Sequence, residues 1–478
     1  MKARYSLLAA SLVWTLGGCK EPTVPNYNSP TVEESGKDPS SLQLLATGLL
    51  SQLRGPVTGY TSDVGIFGRE SFNYFPTDGR SHTHYVFGPG PLDYSGFASG
   101  GGIWNAGYNN GRNIFNFLAS VEIAPITQAE KDAAEGFAKT IEALGYLYII
   151  GTRDTIGAIT EVTSDPKQLA PFVSRDSVYR YVSGRLDEAD ADLAAAGTEV
   201  FPFLLTSGFT NFSTPATFRQ FNRAIAARAL VYRGSINQFA SPSGAACAPT
   251  SCYAQALTAL NGSFVNTASA LSTGPFHTYS TATGDLPNSL FFSTSSDIVA
   301  HPSIVTDAPI RAGGTRDLRL LAKVDSATPV KQPNAGPTSG IPSGVRFKFY
   351  PDRNAGIKII RNEELILLRA EAEWFTGAKA AAIADIDFIR VNSGGLPASS
   401  LTILSTDQAF IDELLLQRRY SLLFEGHRWI DHRRFNRLAQ LPLDEPNHWV
   451  AKVQPVTQGE CLIRVNQTTP EMRGPGCP

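Results

Sequence analysis

The chain has 478 residues, enough to bury a large core as one big domain or as two or three fused layers. Lys and Arg total 41 and Asp and Glu total 43, and there is no basic run, so nucleic acid is excluded as the main partner. Only 18% of the residues are charged, whereas 42 are glycine and 31 are proline, a composition that predicts long ordered loops.

The first residues have the features of an export signal. Lys2 and Arg4 precede an apolar run, Tyr5 to Leu16, that is too short to span a bilayer. The following "LGGC" ends at Cys19 and resembles the bacterial lipobox, in which small residues precede a cysteine that is acylated and becomes the first residue after cleavage. The alternative is an ordinary secretory signal with an incidental cysteine.

The lipobox interpretation sets the expected domain organisation. We expect a signal peptide over 1–18, a lipidated tether over 19–40 and a single domain over 41–478. Lipid on Cys19 would then anchor the protein to a membrane without a spanning segment.

Two long stretches lack helical periodicity, from Arg54 to Gly102 and from Phe264 to about Asn354. Loops of this length are usually functional or disordered, and their aromatic content predicts order. In the first stretch, "HTH" places His82 and His84 on one face of a predicted strand. We expect a polar or ligand-facing edge there rather than a metal site.

Apolar residues recur at helical spacing in the rest of the chain. Thr127 and Glu130 form a predicted capping box that opens one helix. Thr214 and Pro215 open another, which is expected to end at Gly234. "RNEELILLRAEAEWFTG" and "AKAAAIADIDFIRVN" are expected to form an antiparallel pair. Such pairs resemble degenerate tetratricopeptide hairpins and are typical of a scaffold.

Four cysteines remain besides Cys19. Pairing nearest neighbours, Cys247 with Cys252 and Cys461 with Cys477, is the simplest of the connectivities and fits an exported protein. Neither pair has the short CxxC spacing of a zinc site, so no metal is expected here.

The stretch "YSLLFEGHRWIDHRRF" contains side chains suited either to an active site or to a structural knot. If one helix runs through it, Glu425, Arg428, Asp431 and Arg434 follow one another at helical neighbour spacing. Each acid would then be flanked by guanidiniums, which would repel a metal and engage any catalytic carboxylate. Together with Arg418, these residues are predicted to form a structural ion-pair network.

Known catalytic motifs are missing from the sequence. HExxH, GxSxG, Walker A and GxGxxG do not occur. We therefore expect neither enzymatic activity nor a cofactor.

The C-terminal residues resemble a known family. "LLLQRRYSLLFEGHRWIDHRRF" looks like the C-terminal signature of the SusD/RagB family, and "RNEELILLRAEAEWFTG" looks like the helix that precedes it. "AEGFAKTIEALGYLYIIGTRDTIGAI" is similar to the family's N-terminal helix. The resemblance divides the domain into a helical and loop part, about 41–350, and a signature part, about 351–478. Gln417 and His432 depart from the family's pattern.

This resemblance implies a mainly α fold, a superhelix of tetratricopeptide-like helix pairs whose irregular loops bind the ligand. It also implies a non-enzymatic lipoprotein of the cell outer membrane that faces the exterior. Family members act as lids on SusC-type TonB-dependent transporters and capture oligosaccharides or, in some cases, peptides.

Sugar rings present apolar faces that stack on aromatic rings and hydroxyls that need polar partners, so the site should combine both. The aromatic loop and the start of the next helix offer this mixture. The candidate ligand-binding residues are Tyr74, Phe75, Asp78, His84, Tyr85 and Trp104. For each aromatic, packing in the core or the loop is the alternative.

Two other functions remain compatible with the sequence. A lipid-anchored hydrolase of surface polysaccharide would need two facing carboxylates about 5–10 Å apart in a cleft. An adaptor lipoprotein that contacts only proteins would have no ligand-sized pocket beside the aromatic loop.

Overall fold

The computed structural model describes residues 36, 39–88, 90–95, 100–165, 167–240, 249–333 and 341–478. The predicted signal peptide, the anchor at Cys19, most of the tether and Cys247 lie outside these residues.

Helices dominate the described chain, with short strands between them. The helices are α1 (Pro39–Phe67), α2 (Arg80–Thr83), α3 (Gly101–Ile123), α4 (Gln128–Arg153), α5 (Arg175–Ala195), α6 (Pro215–Ser235), α7 (Pro249–Asn261), α8 (Ser303–Thr306), α9 (Leu318–Lys323), α10 (Asn362–Phe375), α11 (Lys379–Asn392), α12 (Asp407–Ser421), α13 (Arg428–Arg434), α14 (Gln458–Ile463) and α15 (Pro470–Arg473). The antiparallel strand pairs are β1 (Ser71–Asn73) with β3 (Ile298–Ala300), β2 (Phe276–His277) with β6 (Ile357–Lys358), and β4 (Val324–Asp325) with β5 (Arg346–Phe347). Short 3₁₀ helices cover Asp154–Ile156, Ser207–Phe212 and Leu438–Gln440.

Consecutive long helices pack against each other. Helix α3 contacts α4, α4 contacts α5, α5 contacts α6 and α6 contacts α7, while α1 lies against α3 and α4. Helices α10 and α11 form another packed pair, and α10 joins it to α6 and α7. This arrangement confirms the predicted mainly α fold built from tetratricopeptide-like helix pairs. Within the described ranges, no helix combines the length and the apolarity needed to cross a bilayer.

Two predicted helix starts are confirmed at the level of single hydrogen bonds. Thr127 Oγ1 accepts from the Glu130 backbone N–H at 3.2 Å, and Glu130 Oε2 accepts from the Thr127 N–H at 2.8 Å. Thr214 caps α6, and Pro215 is its first residue. Each cap satisfies N–H groups that have no partner inside the helix.

The predicted end of α6 at Gly234 is wrong. The helix runs to Ser235 and continues into a π-helical turn. A Cβ at position 234 would lie 3.2 Å from ring atoms of Tyr253 on α7. The glycine therefore serves close helix packing rather than helix termination.

Helix α1 extends well into the first stretch predicted to be irregular. Val57, Tyr60, Val64 and Phe67 recur at helical spacing, and all four are buried. Burying such a side chain is worth roughly 1.5–3 kcal/mol each. Pro56 inside the helix costs about 3 kcal/mol, so the buried face outweighs it.

The signature stretch contains a helix break instead of one continuous helix. Helix α12 ends at Ser421, and Phe424 and Gly426 then adopt positive φ angles of 56° and 81°. A Cβ at position 426 would lie 2.7 Å from the ring of Tyr60, so glycine is required both for its conformation and for its size. Helix α13 starts only at Arg428, so the residues before and after the break do not share one face of a single helix.

Candidate functional site

The loop between α1 and α3 carries most of the predicted ligand-binding residues, and the C-terminal part of the chain holds it in place. The Trp449 indole N–H donates to the Phe87 carbonyl at 2.6 Å. A Cβ at Gly88 would lie 2.6 Å from the Trp449 ring, and a Cβ at Gly90 would lie 2.1 Å from it. Both positions must therefore be glycine for the ring to pack on the loop.

Two of the candidate aromatics in this loop are core side chains. Tyr74 is 1% exposed, and its hydroxyl donates to the Ile341 carbonyl at 2.9 Å. Tyr85 is 3% exposed, and its hydroxyl donates to Asp63 Oδ1 at 2.9 Å. Both rings are thus packed in the core, which was the alternative to ligand contact, and they line no open surface.

Trp104 is also buried, at 2% exposure. Its ring stacks on that of Phe172, with centroids 6.1 Å apart and an interplanar angle of 24°, and the Arg153 guanidinium lies over the ring at 4.9 Å from its centroid. These contacts again correspond to packing at the start of a helix.

The other three candidates lie toward solvent. Phe75 is 48% exposed, and His84 is exposed. The Arg80 guanidinium donates to both carboxylate oxygens of Asp78, with Nε–Oδ1 at 2.8 Å and Nη2–Oδ2 at 2.6 Å. These hydrogen bonds lower the pKa of Asp78 to about 2.

The two histidines of "HTH" do not share a face, because residues 80–83 form the helical turn α2 rather than a strand. His82 is buried against Phe72, whereas His84 faces outward. Electrostatic interaction with His84 also contributes to lowering the pKa of Asp78 and of Asp93, after the hydrogen bonds from Arg80 and from Ser95.

A cavity of about 530 Å³ opens at Asp93. We call it the loop cavity. Its lining comprises Pro91, Leu92, Asp93, Tyr94, Thr155, Ile156, Val453, Pro455, Pro475 and Gly476. Its walls are mostly apolar, and its volume falls within the range of small-molecule sites, roughly 300–1,000 Å³.

Two side chains give the loop cavity its chemical character. Tyr94 is partly buried and presents an aromatic ring. Asp93 is held by Ser95, whose N–H donates to Oδ1 at 2.9 Å and whose hydroxyl donates at 2.8 Å. An ionised carboxylate fixed beside an aromatic ring can accept hydrogen bonds from hydroxyls while the ring packs on an apolar face.

The C-terminal wall of this cavity was not anticipated from the sequence. Val453, Pro455, Pro475 and Gly476 reach Tyr94 only through the tertiary fold. The run of Pro and Gly near the end of the chain is a signal for an ordered turn, but spacing along the chain cannot indicate what that turn contacts.

The predicted ion-pair network exists around Asp431. Arg418 Nε donates to Asp431 Oδ2 at 2.7 Å, and Arg434 Nε donates to Oδ1 at 2.9 Å. Arg434 Nη2 also donates to Glu371 Oε2 at 2.8 Å. Burial alone would raise the pKa of Asp431, but the two guanidiniums outweigh it and lower the pKa to about 2.

Glu425 and Arg428 depart from the predicted network because of the helix break. Glu425 pairs with Arg361, Nη2–Oε1 at 2.9 Å, and with Lys323, Nζ–Oε1 at 3.0 Å. Arg428 makes no carboxylate ion pair with any residue that the structure describes. Burial lowers its pKa to about 9. The predicted contacts of Arg428 with Glu425 and Asp431 are therefore wrong.

The predicted bond between Cys461 and Cys477 is present, with Cα atoms 5.3 Å apart. It closes the C-terminal segment that lines the loop cavity. Cys252 is buried, and Cys247, its predicted partner, lies outside the described residues.

Comparison with known proteins gives a consistent result. Residues 351–467 match the sequence model of the SusD family. A SusD-like protein of Bacteroides fragilis has 13% identity and a TM-score of 0.65, over 89% of this chain and 96% of that one. Surface glycan-binding protein A of Bacteroides uniformis has 16% identity and a TM-score of 0.63, over 88% and 97%. A laminarin-binding SusD-like protein has 14% identity and a TM-score of 0.57, over 88% and 96%. The curated proteins contain no match.

The fold is thus that of the SusD-like helical proteins over most of the chain's length. Residues 351–467 carry the family's sequence signature, which confirms the resemblance noted from the C-terminal motifs.

Proposed function

We propose that this protein is a lipid-anchored binding protein on the outer face of the outer membrane. It captures oligosaccharide and delivers it, as a lid, to a SusC-type TonB-dependent transporter. The match of residues 351–467 to the SusD family model supports this role. Two proteins of similar fold support a saccharide ligand, since they are described as glycan-binding and laminarin-binding.

The loop cavity is the observation that carries the proposal. It combines an aromatic ring, apolar walls and a fixed carboxylate in a space large enough for a short glycan. Ser95 holds the Asp93 carboxylate before any ligand arrives, so binding does not have to order that side chain. Phe75, Asp78 and His84 do not line this cavity, and we propose them as further contacts because they lie toward solvent in the same loop.

The anchor and the transporter belong to the proposal as well. The lipobox at Cys19 precedes the first described helix by about twenty residues, a length suited to a tether. A lid that closes over a transporter must stay close to the membrane yet turn freely, and a lipid on such a tether allows both.

Glycan binding by the purified chain without its signal peptide tests the proposal. Isothermal titration with laminarin oligosaccharides, α-glucan oligosaccharides and short peptides would identify the ligand class. Tyr94→Ala should weaken binding of the preferred ligand roughly 5–30-fold, or about 1–2 kcal/mol, because the stacking ring is lost.

Phe115→Ala is the matched control. Phe115 is an aromatic residue of α3, 39% exposed, that does not line the loop cavity. Its replacement should leave the affinity unchanged. Equal losses in both variants, or a wild-type chain that binds no oligosaccharide, would refute the proposed site.

A further inference from the structure

A second cavity, of about 300 Å³, lies between α1, the 3₁₀ helix Ser207–Phe212 and β2. It shares no lining residue with the loop cavity. Its apolar wall consists of Leu50, Phe209 and Phe276. We call it the helix cleft.

The walls of the helix cleft are fixed to each other. The Tyr279 hydroxyl donates to the Arg54 carbonyl at 2.6 Å and so joins α1 to the segment after β2. A Cβ at Gly208 would lie 1.9 Å from the Phe276 carbonyl oxygen, so only glycine lets the 3₁₀ helix come this close to β2. The cleft therefore exists without any rearrangement.

The two charged side chains that line the cleft neutralise each other. Arg54 and Asp285 both line it, and they form an ion pair with each other. Arg54 Nη1 also donates to the Thr278 carbonyl at 3.2 Å. A charged ligand would have to separate this pair, whereas a neutral one can use the remaining donor and acceptor positions of both groups.

His277 supplies a polar group that lacks a partner. It is 5% exposed, and its buried Nε2 atom has no hydrogen-bond partner among the described residues. Burial, reinforced by the nearby Arg54, lowers the pKa of His277 to about 4, so the imidazole is neutral at ordinary pH. A neutral imidazole nitrogen either donates or accepts, depending on the tautomer, and a ligand hydroxyl matches both cases. Leaving such an atom unpaired costs free energy that a bound hydroxyl would recover.

We propose that the helix cleft is a second ligand site, which binds a single neutral sugar ring. The Phe209 and Phe276 wall packs on the apolar face of the ring, and His277 with the Arg54–Asp285 pair binds its hydroxyls. The hydroxyls of Ser51 and Thr278 line the same space. The ligand class is that of the proposed function, but the site is built from other residues and stands independently of the transporter role.

Saturation-transfer NMR and isothermal titration with the methyl glycosides of glucose, galactose and mannose test this site. The wild type and Tyr94→Ala should bind one of the three equally well. His277→Phe keeps the ring shape but removes both nitrogens, and we expect a tenfold or greater loss of monosaccharide affinity. Its melting temperature should match or exceed that of the wild type, because an unpaired buried nitrogen disappears.

Ser51→Trp provides a second, independent test, because Ser51 is an exposed residue of α1 at the rim of the cleft. The indole would fill the entrance without disturbing the core and should abolish monosaccharide binding. The proposal is overturned if the wild type binds none of the three glycosides, or if Ser51→Trp and a folded His277→Phe both bind like the wild type. Loss of oligosaccharide binding in Tyr94→Ala with intact monosaccharide binding would support both sites separately.

Discussion

The Arg361 guanidinium donates two hydrogen bonds to the Glu425 carboxylate, Nη2 to Oε1 at 2.9 Å and Nε to Oε2 at 3.1 Å. Arg361 immediately precedes α10, whereas Glu425 lies in the turn between α12 and α13. Burial would raise the pKa of Glu425, but Arg361 and Lys323 outweigh it and lower the pKa to about 2. The turn of the family signature is thus tied to the start of α10 by a buried charge pair.

Glu425→Gln should destabilise the protein by about 3–5 kcal/mol in urea unfolding, because Arg361 and Lys323 then lose their buried counter-charge. Glu188→Gln is the control, since Glu188 is 56% exposed and its pair with Arg185 is worth at most about 1 kcal/mol. Oligosaccharide affinity should stay unchanged in both variants. A folded Glu425→Gln chain that is fully stable but unable to bind ligand would contradict the structural role.

Arg418 and Arg428 offer a direct comparison within the same signature. Arg418→Met removes one of the two guanidiniums on Asp431 and should cost about 3–5 kcal/mol of unfolding free energy. Arg428→Met removes a buried cation that has no carboxylate ion pair among the described residues, so it should cost about 1 kcal/mol or less. Equal losses in the two variants would show that Arg428 has an ionic partner in solution.

We expect Glu70 to give the free energy of unfolding a pH dependence opposite in sign to the one that Glu425 gives it. Burial raises the pKa of Glu70 to about 7, with Arg428 opposing it. Between about pH 4.3, the pKa of glutamate in an unfolded chain, and about pH 7, Glu70 is therefore protonated in the folded state but ionised in the unfolded state. The free energy of unfolding falls as the pH rises through this window. Glu70→Gln cannot ionise, so its free energy of unfolding at pH 8 should exceed that of the wild type by up to about 4 kcal/mol. Its melting temperature should rise accordingly at pH 8 and change little at pH 4.

The matched control for Glu70 is Glu161→Gln, an exposed position. It should leave the melting temperature unchanged at both pH values. If Glu70→Gln destabilises the chain at pH 8 instead, the Glu70 side chain must be ionised and paired in the folded protein.

Removing the C-terminal disulfide should loosen one wall of the loop cavity. The Cys461→Ser, Cys477→Ser double variant opens a loop with a sequence separation of 16 residues, worth roughly 3 kcal/mol by chain entropy. Because Pro475 and Gly476 line the loop cavity, oligosaccharide affinity should fall several-fold. Monosaccharide binding in the helix cleft should not change. Differential scanning calorimetry and titration under oxidising conditions measure both effects.

Cys19→Ala tests the anchor. The variant should remain unlipidated and leave the membrane fraction, because a lipobox without its cysteine has no acyl acceptor. Cys477→Ser is the control, since it removes a cysteine outside the lipobox and should stay membrane-bound. Membrane retention of Cys19→Ala after carbonate washing would refute the lipoprotein assignment.

Features that depend on neighbouring residues could be predicted from the sequence. The capping box of Thr127 and Glu130 formed as expected, because both groups lie within one helical turn. The disulfide of Cys461 with Cys477 also formed as expected, since it joins cysteines that are close in sequence. The helix break at "FEGHRW" was missed, because one helix was expected through it, although glycine favours the left-handed backbone that ends a helix.

The burial of single aromatics could not be predicted in the same way. Tyr74 is buried because its hydroxyl meets the Ile341 carbonyl, 267 residues further along the chain. Tyr94 lines a cavity because Val453 and Pro475 lie opposite it. Composition predicted a ligand surface in this loop, but only long-range contacts decide which ring faces inward.

The C-terminal wall of the loop cavity also determines when binding can begin during folding. Pro475 and Gly476 line the cavity and lie within the segment that the disulfide of Cys461 with Cys477 closes. A chain whose C-terminal segment has not yet folded onto the loop has an open cavity and a loop without the hydrogen bond from Trp449. Binding competence therefore appears only after this long-range docking, so a partly folded chain cannot sequester ligand.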